Sequence, residues 1–120
     1  MELRIEVFPG DLDRFADFYL RVLGFDLVSD KRGGPSPYIS VRRGSVKIGA
    51  TLAWTTTDPA ARAVPQGVEL VLEVDDLVAE HDALVAAGWP IAHGITVRPW
   101  GLTDFRVFDP DGNYIRFTTR

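Results

Sequence analysis

The sequence predicts an α+β fold made of two tandem βαβββ modules. Three observations carry that prediction. Asp11-Leu12 recurs as Asp76-Leu77 at an offset of about 65 residues, and the alternating runs before them align at the same offset. Each helical stretch is followed by a glycine, Gly24 or Gly88. Each half then closes on strand patterns around a glycine turn, at Gly44 in the first half and Gly112 in the second. The expected division is a first module over 1–54, a linker over 55–66 and a second module over 67–120.

Taken in order, residues 3–8 alternate as a strand does, with Leu3, Ile5 and Val7 on one face and Arg4, Glu6 and Phe8 on the other. Pro9-Gly10 breaks the run and Asp11 is a good N-cap. Leu12, Phe15, Ala16, Tyr19, Val22 and Leu23 then recur at helical spacing, which is the period burial needs. Strands are expected over 25–29, 38–41 and 46–54. Residues 55–66 hold two prolines and no sustained period, hence the linker. A strand over 68–74 follows, with Leu70, Leu72 and Val74 opposed to Glu69, Val71 and Glu73. Asp75 or Asp76 caps a helix that runs to residue 87, and a strand spans 91–97. Asp109-Pro110-Asp111-Gly112-Asn113 joins two alternating runs into a final hairpin: Pro presets a negative φ, Gly accepts a positive one, and Asp and Asn bond back to nearby backbone.

Composition bounds the function. A chain of 120 residues with ordinary apolar content is one domain by size. The net charge is −4 with both signs interspersed, so the basic stripe of a nucleic-acid binder is missing. There is no cysteine, hence no disulfide, thiolate nucleophile or zinc–thiolate site. No apolar run reaches membrane-spanning length, and the first residues do not read as a signal peptide; a cytoplasmic protein without a membrane partner is expected.

Pro99-Trp100-Gly101, an aromatic-rich strand, then Asp109-Pro110-Asp111-Gly112-Asn113 and a last strand resemble the end of a vicinal oxygen chelate domain. That superfamily includes glyoxalase I, extradiol dioxygenases and fosfomycin-modifying enzymes, and the stretch is most similar to its bleomycin-binding resistance branch. With the duplicated module, the resemblance covers essentially the whole chain. It implies a cup-shaped half-open barrel, helices outside, a ligand inside and pairing as a homodimer. In the enzymes of the family a divalent metal sits in the cup. Carried over by position, its ligand places fall on Arg4, on Ile48 (or Lys47, with the register shifted by one), on Glu69 and on Arg116, three residues past Asn113. Guanidinium and ammonium groups carry donors only, and an apolar side chain cannot ligate a cation, so one carboxylate remains of the set. The expectation is no metal and no cofactor.

Under strand alternation Arg4, Glu6, Glu69, Glu73 and Arg116 share the cup face. Such a set either forms an ion-pair lattice or orients a polar ligand, for which arginine offers a planar fork. Phe8, Tyr38, Trp54, Trp100, Phe108 and Tyr114 are candidates to line the cup or its rim, with Trp54 ending the fourth strand; Trp89 reads as core. His81 falls on or beside the packed helical stripe, and the face of His93 is open. The expected function is therefore binding and sequestration of a small aromatic or polycyclic natural product, as in antibiotic resistance by binding. The competing readings are an enzyme with an unusual ligand set (Glu6, Glu69, Glu73 or His93) or a metal-free general base, and a ligandless accessory protein.

Overall fold

The computed structural model describes residues 1–55, 58–62 and 65–120. The chain falls into two compact units, Met1–Thr57 and Asp58–Arg120.

In the first unit β1 (Ile5–Val7) leads to α1 (Leu12–Ala16), and β2 (Asp26–Asp30), β3 (Tyr38–Arg43) and β4 (Val46–Thr51) follow. The sheet order is β1-β4-β3-β2, with β1 parallel to β4 and the other pairs antiparallel. Asp11 caps α1, its carboxylate accepting from the amides of Asp13 and Arg14. The helix expected over 12–23 does form, but its second half (Asp17–Val22) is π-wound, and the Leu23 amide donates to the Phe18 carbonyl at 2.9 Å. Positions 18 and 23 therefore share a face, and Phe18 is buried with Phe15, Tyr19, Val22 and Leu23. These rings pack by edges and tilts, with Tyr19 at 4.5 Å from Phe15 and 5.0 Å from Phe18. Val7, Leu12, Ala16, Phe25, Ile39, Val41, Ile48 and Ala50 are buried in this unit as well.

The second unit repeats the order: β5 (Leu70–Glu73), α2 (Leu77–Ala86), β6 (His93–Val97), β7 (Thr103–Phe108) and β8 (Tyr114–Thr118), in the sheet order β5-β8-β7-β6. Tandem βαβββ units are thus the architecture. Asp76 is the cap of α2, accepting from the Ala79 amide, while Asp75 pairs with Arg120. Leu70, Leu77, Leu84, Phe105, Val107, Ile115 and Phe117 are buried, and Phe105 stacks on Phe117 at 4.7 Å. His81 stands edge-on to Phe105 at 5.3 Å, the packed position its helical spacing implied.

Several element bounds differ from those read in the sequence. The strand expected over 46–54 ends at Thr51, so Trp54 lies three residues beyond it and is 94% exposed. Val68 is exposed and outside β5, bridged to Gln66. Trp89 is half-buried rather than core, its indole N–H donating to the Phe108 carbonyl at 2.9 Å. Of the expected linker, Pro59–Arg62 forms a 3-10 turn, and residues 56, 57, 63 and 64 lie outside the described residues. That turn explains Gly112: with φ +81°, a Cβ there would stand 2.1 Å from the Pro59 carbonyl oxygen.

Candidate functional site

Paired residues of neighbouring strands share a face, so the registers sort each sheet into a core face and an open face. In the first unit Ile5, Ile48 and Val41 lie in one row, with Ile48 2% exposed. Ile48 therefore belongs to the core and does not line the open face, contrary to the sequence-based placement. The next row is Glu6, Gly49 and Ser40. A Cβ on Gly49 would stand 2.3 Å from Glu6 Oε2 and 2.4 Å from the Tyr38 hydroxyl, so glycine makes the room into which both side chains reach. The Tyr38 hydroxyl donates to Glu6 Oε1 at 3.3 Å, and Arg4 Nε stands 2.8 Å from the same oxygen. Burial, then the charge of Glu6, pushes the Tyr38 phenol above its ordinary value, so it remains a donor at neutral pH. Lys47 is occupied by Glu2. Phe8, just past β1, is 48% exposed.

Beside this cluster a cleft of about 450 Å³ opens between residues 36–38 and residues 51–54. Tyr38 and Trp54 supply its aromatic walls, with Pro37, Leu52 and Ala53 between them. The volume lies in the range of small-molecule sites.

The face of the second sheet opposite its core carries three rows. One is Glu73, Thr118, Asp104 and Thr96; the next is Val71, Arg116, Arg106 and His93; the third contains Tyr114 and Phe108. The face of His93, open in the sequence, is thus that of Arg106. Asp104 is fully buried and grasped by Arg98, whose Nε and Nη2 donate to Oδ1 at 3.0 and 2.8 Å. Burial works to raise this carboxyl, but the hydrogen bonds from Arg98 and the charges of Arg106 and Arg98 outweigh it, holding Asp104 below its ordinary value. Arg106 Nη1 donates to the Tyr114 hydroxyl at 3.1 Å, and the guanidinium stands 5.7 Å from the centre of that ring. Phe108 and Tyr114 lie 5.1 Å apart. Glu69, just before β5, pairs with Arg116: Nη2 donates to Oε2 at 3.3 Å, and Nε stands 3.1 Å from Oε1 without hydrogen-bond alignment. Glu73 is exposed, and Trp100 is 59% exposed in the turn between β6 and β7.

The structure thus brings together Arg4, Glu6 and Tyr38 in one unit, and Glu69, Arg116, Tyr114 and Phe108 in the other. Sequence reasoning missed Gly49, Arg98, Asp104 and Arg106. Only Arg106 had a signal, since it alternates with Phe108 and faces Arg116 once the hairpin turn is placed.

The metal places can now be set by register. Arg116 lies between Val71 and Arg106, and its counterpart in the first unit, between Glu6 and Ser40, is Gly49 rather than Ile48 or Lys47. The four places are then Arg4, Gly49, Glu69 and Arg116, with a single carboxylate already paired to a guanidinium. Among the described residues no group of at least three His, Cys, Asp or Glu could hold a metal ion. These side chains do not fit a divalent cation, which needs about three protein ligands or a phosphate-bearing partner.

Among solved structures, the fold is similar to the bleomycin resistance determinant encoded on the transposon Tn5, with TM-score 0.79, 22% identity and coverage of 100% of this chain and 98% of that one. TioX from a Micromonospora species gives TM-score 0.79, 22% identity and coverage of 99% and 98%. A glyoxalase/bleomycin resistance protein from a Streptomyces species gives TM-score 0.71, 26% identity and coverage of 99% and 100%. No curated protein sequence matches. The family model for the Glyoxalase/Bleomycin resistance protein/Dioxygenase superfamily matches residues 3–117. With its duplicated βαβββ units, the chain belongs to that superfamily.

Proposed function

We propose that this protein binds a small aromatic or polycyclic molecule and holds it unchanged, protecting by sequestration. The observation that carries the reading is the cleft of about 450 Å³ bounded by Tyr38 and by the almost fully exposed indole of Trp54. An exposed tryptophan beside an apolar cleft gains most by taking a flat ligand, since ring stacking adds about 0.5–1.5 kcal/mol to the burial of its surface. The donor set supports binding over metal-assisted chemistry, because arginine and glycine stand at the family's ligand places. A metal-free general base has less support: Glu69 is paired with Arg116, and Glu6 with Arg4 and Tyr38. On the other unit Phe108 and Tyr114 form a second aromatic pair, and Trp100 is exposed in the turn between β6 and β7. A homodimer acting in the cytoplasm, where a toxin is kept from its target, completes the proposal.

The test is titration of the purified protein with a panel of aromatic antibiotics and pigments, following tryptophan fluorescence and the mass of each ligand. Saturable quenching with the ligand recovered intact is expected. Trp54→Ala or Trp100→Ala should weaken binding by about tenfold, the equivalent of roughly 1.4 kcal/mol. Unchanged affinity in both variants would sink the assignment, and a converted ligand would make the protein an enzyme.

A further inference from the structure

We infer that Arg106 and Arg116 together form a site for the oxyanion of a planar aromatic ligand, a carboxylate or phenolate, which narrows the binding reading above and rests on it. The two residues face each other in register across β7 and β8. Like charges so placed repel, and their flanking carboxylates only partly offset this. Asp104 takes its hydrogen bonds from Arg98 and stands 3.6 Å from Arg106 Nε. Glu69 serves Arg116 through Nη2. The Nε atoms of both Arg106 and Arg116 are buried and make no aligned hydrogen bond, although that of Arg116 stands 3.1 Å from Glu69 Oε1. Buried donors are nearly always satisfied, so two guanidinium groups on one row with imperfect pairing favour a further anion beside them.

An anion answers both demands. It adds an acceptor to guanidinium groups whose present pairing is imperfect and relieves the repulsion between them. A planar carboxylate matches the arginine fork, and a phenolate supplies the same charge at one oxygen. The ring belongs to the next row, where Phe108 and Tyr114 stand two residues along the same strands at 5.1 Å. Phe108 is half-buried and so offers a ledge, while Tyr114 is pinned beneath by Arg106. His93, opposite Arg106 and exposed, borders the row on the β6 side. The ligand class is therefore an acidic aromatic molecule, and neutral analogues of the same shape are discriminated against.

The experiment compares 2-naphthoate with its neutral isostere 2-naphthamide by calorimetry, on the wild-type protein and on Arg106→Met and Arg106→Lys, with each variant's fold checked by urea unfolding. Naphthoate is expected to bind about tenfold or more tightly than the amide, as a hydrogen-bonded charge pair commonly provides. The preference should weaken as salt is raised, vanish in Arg106→Met and return in part in Arg106→Lys. Equal affinity for acid and amide would overturn the anion site while leaving aromatic binding intact. A preference that survives Arg106→Met would overturn it as well, since the anion would then sit elsewhere. If neither probe binds, the anion site falls; the antibiotic titration then decides separately whether aromatic binding falls with it.

Discussion

Asp104 shows what a single buried charge contributes. Its carboxylate is wholly enclosed, is held by Arg98 and lies beside Arg106, and its folded pKa is below the ordinary value. For a depressed carboxyl, the stabilisation is complete above the unfolded pKa of about 3.9 and is lost as pH falls through the folded value. Asp104→Asn should therefore cost roughly 3 kcal/mol at neutral pH, because it strands paired guanidinium groups. The gap between variant and wild type should narrow below about pH 4. Urea unfolding at neutral and acid pH checks this, and a gap independent of pH would show that the charge is not the source. Gly49 acts by subtraction at the same scale: its missing Cβ is what lets Glu6 and Tyr38 meet.

At the scale of elements, the π-wound end of the first helix decides which aromatic chains are core. A count by the α period places Phe15 and Tyr19 on the buried stripe and omits Phe18, yet Phe18 is 1% exposed. Its carbonyl accepts from the Leu23 amide, so the wider turn aligns those two positions. Phe18→Ala should cost about 3–5 kcal/mol, as much as Phe15→Ala, and not the small cost of an exposed site. Equilibrium unfolding of the two variants measures it, and a Phe18→Ala loss well below 1 kcal/mol would contradict the packing. The final hairpin behaves differently. Its turn was legible because the residues that make it are local: Asp109 accepts from the amides of Asp111 and Asn113 at 2.9 Å, and Gly112 supplies the positive φ.

For the whole molecule, the edge strands carry the consequence. Every residue of β6 is exposed, with Val97 at 74%, and β2 leaves Val28 at 63%. Exposed apolar chains on sheet edges are a liability that a second copy can cover. The proposed homodimer predicts twice the chain mass of 13.3 kDa by light scattering at micromolar concentration. A monomer at the highest soluble concentration would remove that part of the proposal. No helix among the described residues is long and apolar enough to cross a membrane.

The α+β class, the duplicated order of elements, the cap at Asp11 and the closing turn are legible in the residues alone, and the second cap is narrowed there to Asp75 or Asp76. These depend on period, on short side chains that bond nearby backbone, and on glycine's access to positive φ, all of which act within a few residues. The residues also put arginine at two of the places that the resemblance assigns to metal ligands, Arg4 and Arg116. Strand pairing fixes which face of each sheet is core. Moving a strand by one residue exchanges its faces, which is why Ile48 lies on the core face and Gly49 on the opposite one. The row that sets Arg106 against Arg116, the enclosure of Asp104 by Arg98, and the place of Trp54 beyond β4 depend on strand pairing and on where a strand ends. Those are contacts between residues distant in the chain or limits set by packing, and no local pattern of residues encodes them.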